Sequence, residues 1–130
     1  MITIKKPFYV DVDDTLILWD ISKYQDDLPD EDLITFKCND ITMHVYIHQK
    51  NVNTVLKLWK MGYSIIVHSQ TGHEYVKAVV DAIGITDCIT AIGDKPSFCL
   101  DDLPANAWMK RTYRDPITGE ETGCYGKELE

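Results

Sequence analysis

An apolar run at residues 63–68 (Tyr-Ser-Ile-Ile-Val-His) lies between two stretches of helical periodicity, and few folds accept that order. Before it, Val52, Val55, Leu56 and Trp59 fall at i, i+3, i+4 and i+7, which predicts a helix over 52–61. Gly62 suits the left-handed position just past its end. After the run, Val76, Val79, Val80 and Ile83 share one helical face, predicting a helix over 73–83 closed by Gly84. A short, continuously apolar segment between helices is expected to be a parallel strand buried on both faces. Residues 6–11 (Lys-Pro-Phe-Tyr-Val-Asp) predict a second buried strand, with Pro7 at its start, where a missing N–H is tolerated. A weaker strand is expected over 89–92, and Phe98, Cys99 and Leu100 form a last one running into Asp101 and Asp102. Residues 33–38 and 41–47 alternate about Asn39 and Asp40, the signal of a β-hairpin.

Strands alternating with helices predict an α/β fold, a Rossmann-like parallel sheet with right-handed crossovers and flanking helices. The hairpin would form a flap after the first strand. A length of 130 residues is expected to make one domain, with its core over about 6–104. Beyond Trp108 the pattern dissolves, and residues 115–126, with Pro116, Gly119, Gly123 and Gly126, read as loop or turn. The first six residues lack the apolar stretch and cleavage site of a secretory leader, and no run of about 18 apolar residues exists, so a cytoplasmic protein is expected. Cys38, Cys88, Cys99 and Cys124 form no C-x-x-C pair, which argues for reduced thiols, with Cys88 and Cys99 read as core.

The net charge of −8 bears on partners. Asp20, Asp26, Asp27, Asp30, Glu31 and Asp32 cluster with only Lys23 among them, the composition of a solvated loop. Binding a long nucleic acid relies on a basic surface and counterion release, so no extended nucleic-acid groove is expected.

In open parallel sheets, ligands bind beyond the carboxyl ends of the strands. Asp11, Ser69, and Asp101 with Asp102 each follow an expected strand at that end, and Lys95 lies just before the last one. The segment Asp11-Val12-Asp13-Asp14-Thr15-Leu16 resembles the first motif of the haloacid-dehalogenase (HAD)-like hydrolases, an apolar strand followed by Asp-x-Asp-x-Thr-Leu/Val. Ser69 resembles the second motif, Lys95 the third, and Asp101 with Asp102 the fourth, in the family's order over residues 6–104.

That resemblance implies a magnesium-dependent phosphomonoesterase. Asp11 would attack phosphorus and become an aspartyl-phosphate, splitting one hard step into two. Mg²⁺, a hard cation with oxygen ligands, would be held by Asp11, the backbone carbonyl of Asp13, and Asp102 or Asp101, with Asp102 favoured as the direct ligand. Asp13 would be the general acid and then the general base. Ser69, with Gln70 beside it, and Lys95 would bind the transferring phosphoryl oxygens. Thr15 would brace the loop. Halide-releasing relatives lack an acid at the position of Asp13, so dehalogenation is disfavoured: an alkoxide leaving group needs a proton and a halide does not. Asp14 departs from the many relatives that carry Gly there.

Each residue also has a plainer reading. The Asp-rich segment fails as a calcium loop, because Leu16 stands where an EF-hand requires Gly and Ser22 where it requires Glu. Alone, Ser69 is a strand-end hydroxyl, Lys95 a surface lysine before a proline, and His68 and His73 core or surface histidines. His44 and His48, four apart on one strand face, have no third metal ligand. Trp59 and Trp108 read as packing residues; Trp19 lies close enough to the nucleophile loop to line a pocket.

Relatives insert lid domains after the first strand or between the second and third motifs. Here residues 17–51 have room for a helical turn and the hairpin, and 70–94 for one helix and a short strand, so no large cap is expected. An open site favours a bulky phosphorylated partner, such as a phosphorylated macromolecule end, or closure by a second copy in a homo-oligomer; a nucleotide is the small-molecule alternative. Two other classes compete. A catalytically silent magnesium- and phosphate-binding module would not need Asp13. A response-regulator receiver would place its acidic pair on the first strand and its phosphoacceptor on the third, which the order here does not match.

Overall fold

The computed structural model describes residues 6–19 and 29–126, and of residues 124–126 the backbone alone. Asp20, Lys23, Asp26 and Asp27 of the acidic run therefore lie outside the described residues, while Asp30–Asp32 form a 3₁₀ turn. The elements follow as β1 (Pro7–Asp11), β2 (Ile17–Leu18), β3 (Leu33–Cys38), β4 (Ile41–Ile47), α1 (Gln49–Lys60), β5 (Ser64–Ser69), α2 (His73–Ile83), β6 (Ala91–Asp94), β7 (Lys110–Arg114) and β8 (Glu121–Gly126). The chain divides into two units, residues 1–95 and 96–130.

The first unit is mixed α/β. A parallel three-stranded sheet runs in the order β1-β5-β6, with Asp11 opposite His68 and Ser69 opposite Asp94. A second, antiparallel sheet runs β2-β4-β3. α2 packs against both sheets, touching β3 in one and β5 and β6 in the other, and α1 packs against β5. One core joins them: Val10, Val12, Leu16 and Ile17 from the first segment, Phe36, Cys38 and Val45 from the hairpin, and Ile65, Val67, Tyr75, Val76, Val79 and Val80 from β5 and α2. The hairpin is thus more than a flap, since it covers part of the core.

Local chemistry sets the boundaries. The loop of the β3–β4 hairpin is Asn39-Asp40, and both residues have positive φ (51° and 63°), as a two-residue type I′ turn requires. α1 begins at Gln49, three residues before the predicted start, because the ring of His48 accepts a hydrogen bond from Asn51 N–H (3.3 Å) and caps the helix. His48 is therefore a buried N-cap and not a strand partner of His44, which bonds Thr35. α2 ends at Gly84, whose φ of 87° is the left-handed C-cap.

Several expectations need correction. β1 was expected to be buried, yet only Val10 is; Tyr9 is exposed, because among the described residues β1 is an edge strand paired with β5 alone. β5 is fully buried at Ile65, Val67 and Ser69 and half-buried on its other face. Residues 98–100 form no strand: Phe98 and Leu100 are 95% and 103% exposed, and three apolar residues carry too little period to distinguish strand from coil. Cys99 is exposed and Cys88 intermediate, whereas Cys38 is buried.

The second unit holds the 3₁₀ turn Ala105–Ala107 and the β7–β8 hairpin, in place of the loop expected over 115–126. Its turn is made by Asp115, whose carboxylate accepts from the N–H groups of Ile117 (2.7 Å) and Thr118 (3.0 Å), an Asx-type closure. No helix among the described residues is long and apolar enough to cross a membrane.

Candidate functional site

The site is built on the carboxyl ends of β1 and β5 and the turn after β6. Directly after β1 the chain folds tightly over Val12, which is fully buried and whose carbonyl accepts from Thr15 N–H (3.2 Å), Leu16 N–H (2.9 Å) and Ile17 N–H (3.3 Å). Val12 points into the core, and Asp11 and Asp13, two apart, flank it at half-buried positions. The turn requires a left-handed residue at Asp14, φ 56°, a conformation that Gly adopts freely and Asp tolerates. Asn51, buried on α1, donates from Nδ2 to the carbonyl of Thr15 (2.8 Å), and His48 N–H donates to the carbonyl of Leu16 (2.8 Å). The amino end of α1 thus holds the loop in place.

Asp11 sits between Lys95 and Thr15. Lys95 Nζ lies 3.6 Å from Asp11 Oδ1, both side chains about one third exposed, and Thr15 Oγ1 donates to Asp11 Oδ2 at 3.5 Å. Lys95 is steered there by its backbone, whose N–H donates to the carbonyl of Ser69 (3.0 Å). A partly exposed ion pair of this kind adds little stability; its value is to place a cation beside a carboxylate.

Asp13 is gripped more firmly. Its Oδ1 accepts from the phenol of Tyr75 (2.6 Å) and from the indole of Trp19 (2.7 Å), and its Oδ2 from the hydroxyl of Ser69 (3.3 Å). Ser69 is fully buried and its Oγ also accepts from Thr71 N–H (3.1 Å). Tyr75 is 4% exposed, packed edge-on against Phe36 (5.9 Å between ring centroids). Burial first, and then the adjoining Asp13 carboxylate, push the Tyr75 phenol far above its ordinary range, so it stays protonated and donates.

Asp11, Asp13, Ser69 and Lys95 are therefore brought together. Gln70 follows Ser69 on the exposed turn into α2, and Asp94, at the end of β6, reaches the start of that helix: a Cβ on Gly72 would lie 3.4 Å from Asp94 Oδ1. Asp101 and Asp102 lie in the second unit, both exposed, with Asp101 Oδ1 accepting from Leu103 N–H (3.1 Å). The Asp101 carboxyl is held below the usual aspartate range by its hydrogen bonds with the Asp102 side chain and the Leu103 amide.

Among the described residues no three His, Cys, Asp or Glu side chains form a ready-made metal-binding cluster. Mg²⁺ does not demand one, since it is commonly held by one or two carboxylates with substrate phosphate and water. The donor chemistry of Asp11, a half-buried carboxylate beside the Lys95 ammonium, fits such an ion, whereas the Asp13 carboxylate is engaged by three donors and could contribute only its backbone carbonyl.

Tyr75 and Asn51 escape a sequence reading. Tyr75 adjoins the apolar stripe of α2, where only its hydroxyl, which must find a partner once buried, hints at another role. Asn51 lies in the unpredicted first turn of α1. No family model and no curated protein matches this chain.

Proposed function

We propose that the chain is a magnesium-dependent phosphomonoesterase of the HAD type, on a Rossmann-like sheet, working through an aspartyl-phosphate on Asp11. The observation that carries this reading is the placement of Lys95 beside Asp11 and of Ser69 beside Asp13, at the carboxyl edge of a parallel sheet. Two acids from one segment, a hydroxyl from a second and a cation from a third meet where such sheets bind ligands.

Asp11 attacks phosphorus as the bond to the leaving-group oxygen breaks, and Asp13 supplies that oxygen with a proton. Asp13, now a carboxylate, takes a proton from the water that hydrolyses the aspartyl-phosphate, and Asp11 is regenerated. Lys95 screens the approach of the anionic phosphoryl group. Mg²⁺, held by Asp11 and the backbone carbonyl of Asp13, would neutralise charge on the phosphoryl oxygens. The substrate class is a phosphorylated small molecule such as a nucleotide, or a phosphorylated macromolecule end.

The test is phosphate release from p-nitrophenyl phosphate and a nucleotide panel, with Mg²⁺ or EDTA, for wild type and Asp11→Asn. Turnover is expected only with Mg²⁺, and Asp11→Asn is expected to lower it by at least about a thousandfold. Well-folded wild type with no turnover would favour a silent magnesium- and phosphate-binding module, and turnover surviving in Asp11→Asn would exclude the covalent route.

A further inference from the structure

The two oxygens of Asp13 are unlike. Oδ1 receives two short hydrogen bonds, from the Tyr75 phenol at 2.6 Å and the Trp19 indole at 2.7 Å, and the indole also hydrogen-bonds the Tyr75 side chain. Oδ2 receives one longer bond, 3.3 Å, from Ser69. The hydroxyl of Ser69 can reverse that bond, accepting from a proton on Oδ2 as readily as donating to a carboxylate. An indole N–H can only donate, and with the Tyr75 hydroxyl it fills both lone pairs of Oδ1. A proton there would force Tyr75 to turn its hydrogen away, whereas Oδ2, with one donor, keeps a lone pair open for a proton.

We infer that Tyr75 and Trp19 are positioning residues that occupy Oδ1 of Asp13 and so assign the acid–base proton to Oδ2. The inference rests on the phosphatase reading and deepens it. During the first step the proton on Oδ2 passes to the leaving-group oxygen as the P–O bond breaks. In the second, Oδ2 takes a proton from the attacking water, so the pair of steps leaves Asp13 as it began. The two donors come from different parts of the fold. Tyr75 is anchored in the core on α2 against Phe36, and Trp19, 42% exposed, follows the nucleophile loop. Fixing one oxygen from two sides removes the rotation by which a carboxyl group exchanges its oxygens, and a general acid is effective only when its proton is aimed.

A leaving-group comparison on the full chain tests this, using Tyr75→Phe and Trp19→Phe with Mg²⁺. The substrates are p-nitrophenyl phosphate, whose leaving group departs readily as an anion, and the alkyl monophosphate that the wild type turns over fastest. Each variant is expected to lower kcat/KM, which reports the steps up to loss of the leaving group, by about tenfold or more on the alkyl phosphate and by no more than about threefold on p-nitrophenyl phosphate. Tyr75→Phe keeps the ring packed on Phe36, and Trp19→Phe alters a partly exposed position, so at least one variant remains folded. The Trp19 indole N–H resonance, identified by its loss in Trp19→Phe, is expected to move in Asp13→Asn. Equal losses of kcat/KM on both substrates, or no loss, in variants of an active, Asp11-dependent enzyme would overturn the inference and leave the phosphatase reading standing. A wild type without turnover would instead overturn that reading and, with it, this assignment.

Discussion

Asp14 adopts a left-handed conformation at an exposed position, so what it contributes to the loop is a matter of backbone alone. Asp14→Gly is expected to leave stability within about 1 kcal/mol of wild type, whereas Asp14→Val, β-branched in a left-handed position, should cost about 1–2 kcal/mol. Urea unfolding of the two variants measures both. Asn51 is the opposite case, a buried side chain whose amide bonds the Thr15 carbonyl. Asn51→Ala leaves that bond unmade and is expected to cost about 1–3 kcal/mol in the same assay. It should also slow phosphate release without touching substrate, because the loop between Asp11 and α1 loses an anchor. Neither residue could be assigned from the sequence. Asp14 stood out only as a departure from a motif, and Asn51 lay outside the predicted helix.

At the scale of elements, legibility followed how much of the local chemistry was carried by side-chain pattern. α2 and the β3–β4 hairpin have the bounds expected, because a four-residue apolar stripe ended by Gly84 and an alternating pair of strands about Asn39 and Asp40 each admit one solution. The first turn of α1 was invisible because a histidine caps it, an uncommon choice. β7 and β8 escaped because their strands carry no alternation of apolar and polar residues; the exposed Arg111 stacks over Tyr113 (5.0 Å), and turn chemistry at Asp115 closes the ribbon. The reverse error at residues 98–100 came from three apolar residues without a sheet to receive them. The type I′ turn offers a prediction at this scale. Asp40→Gly would give the Asn-Gly pair such turns prefer and relieve one left-handed side-chain residue, raising stability by about 0.5 kcal/mol, seen as a higher urea midpoint with unchanged slope.

For the molecule as a whole, charge is the property that reaches furthest. A net charge of −8 repels polyanions at a distance, so a labelled DNA duplex is expected to show no binding by anisotropy at 150 mM salt, even if a phosphorylated end is a substrate. Saturable binding of duplex would reveal a local surface that overrides the overall charge. Within the first unit, core and candidate site are not separate regions. Val12 has no functional group, is wholly enclosed, and yet its carbonyl gathers three amides of the turn that spaces Asp11 from Asp13. In a random mutant library screened for turnover, Val12 should therefore score among the catalytic positions, and an alignment built on such a screen would count a packing residue as part of the chemistry.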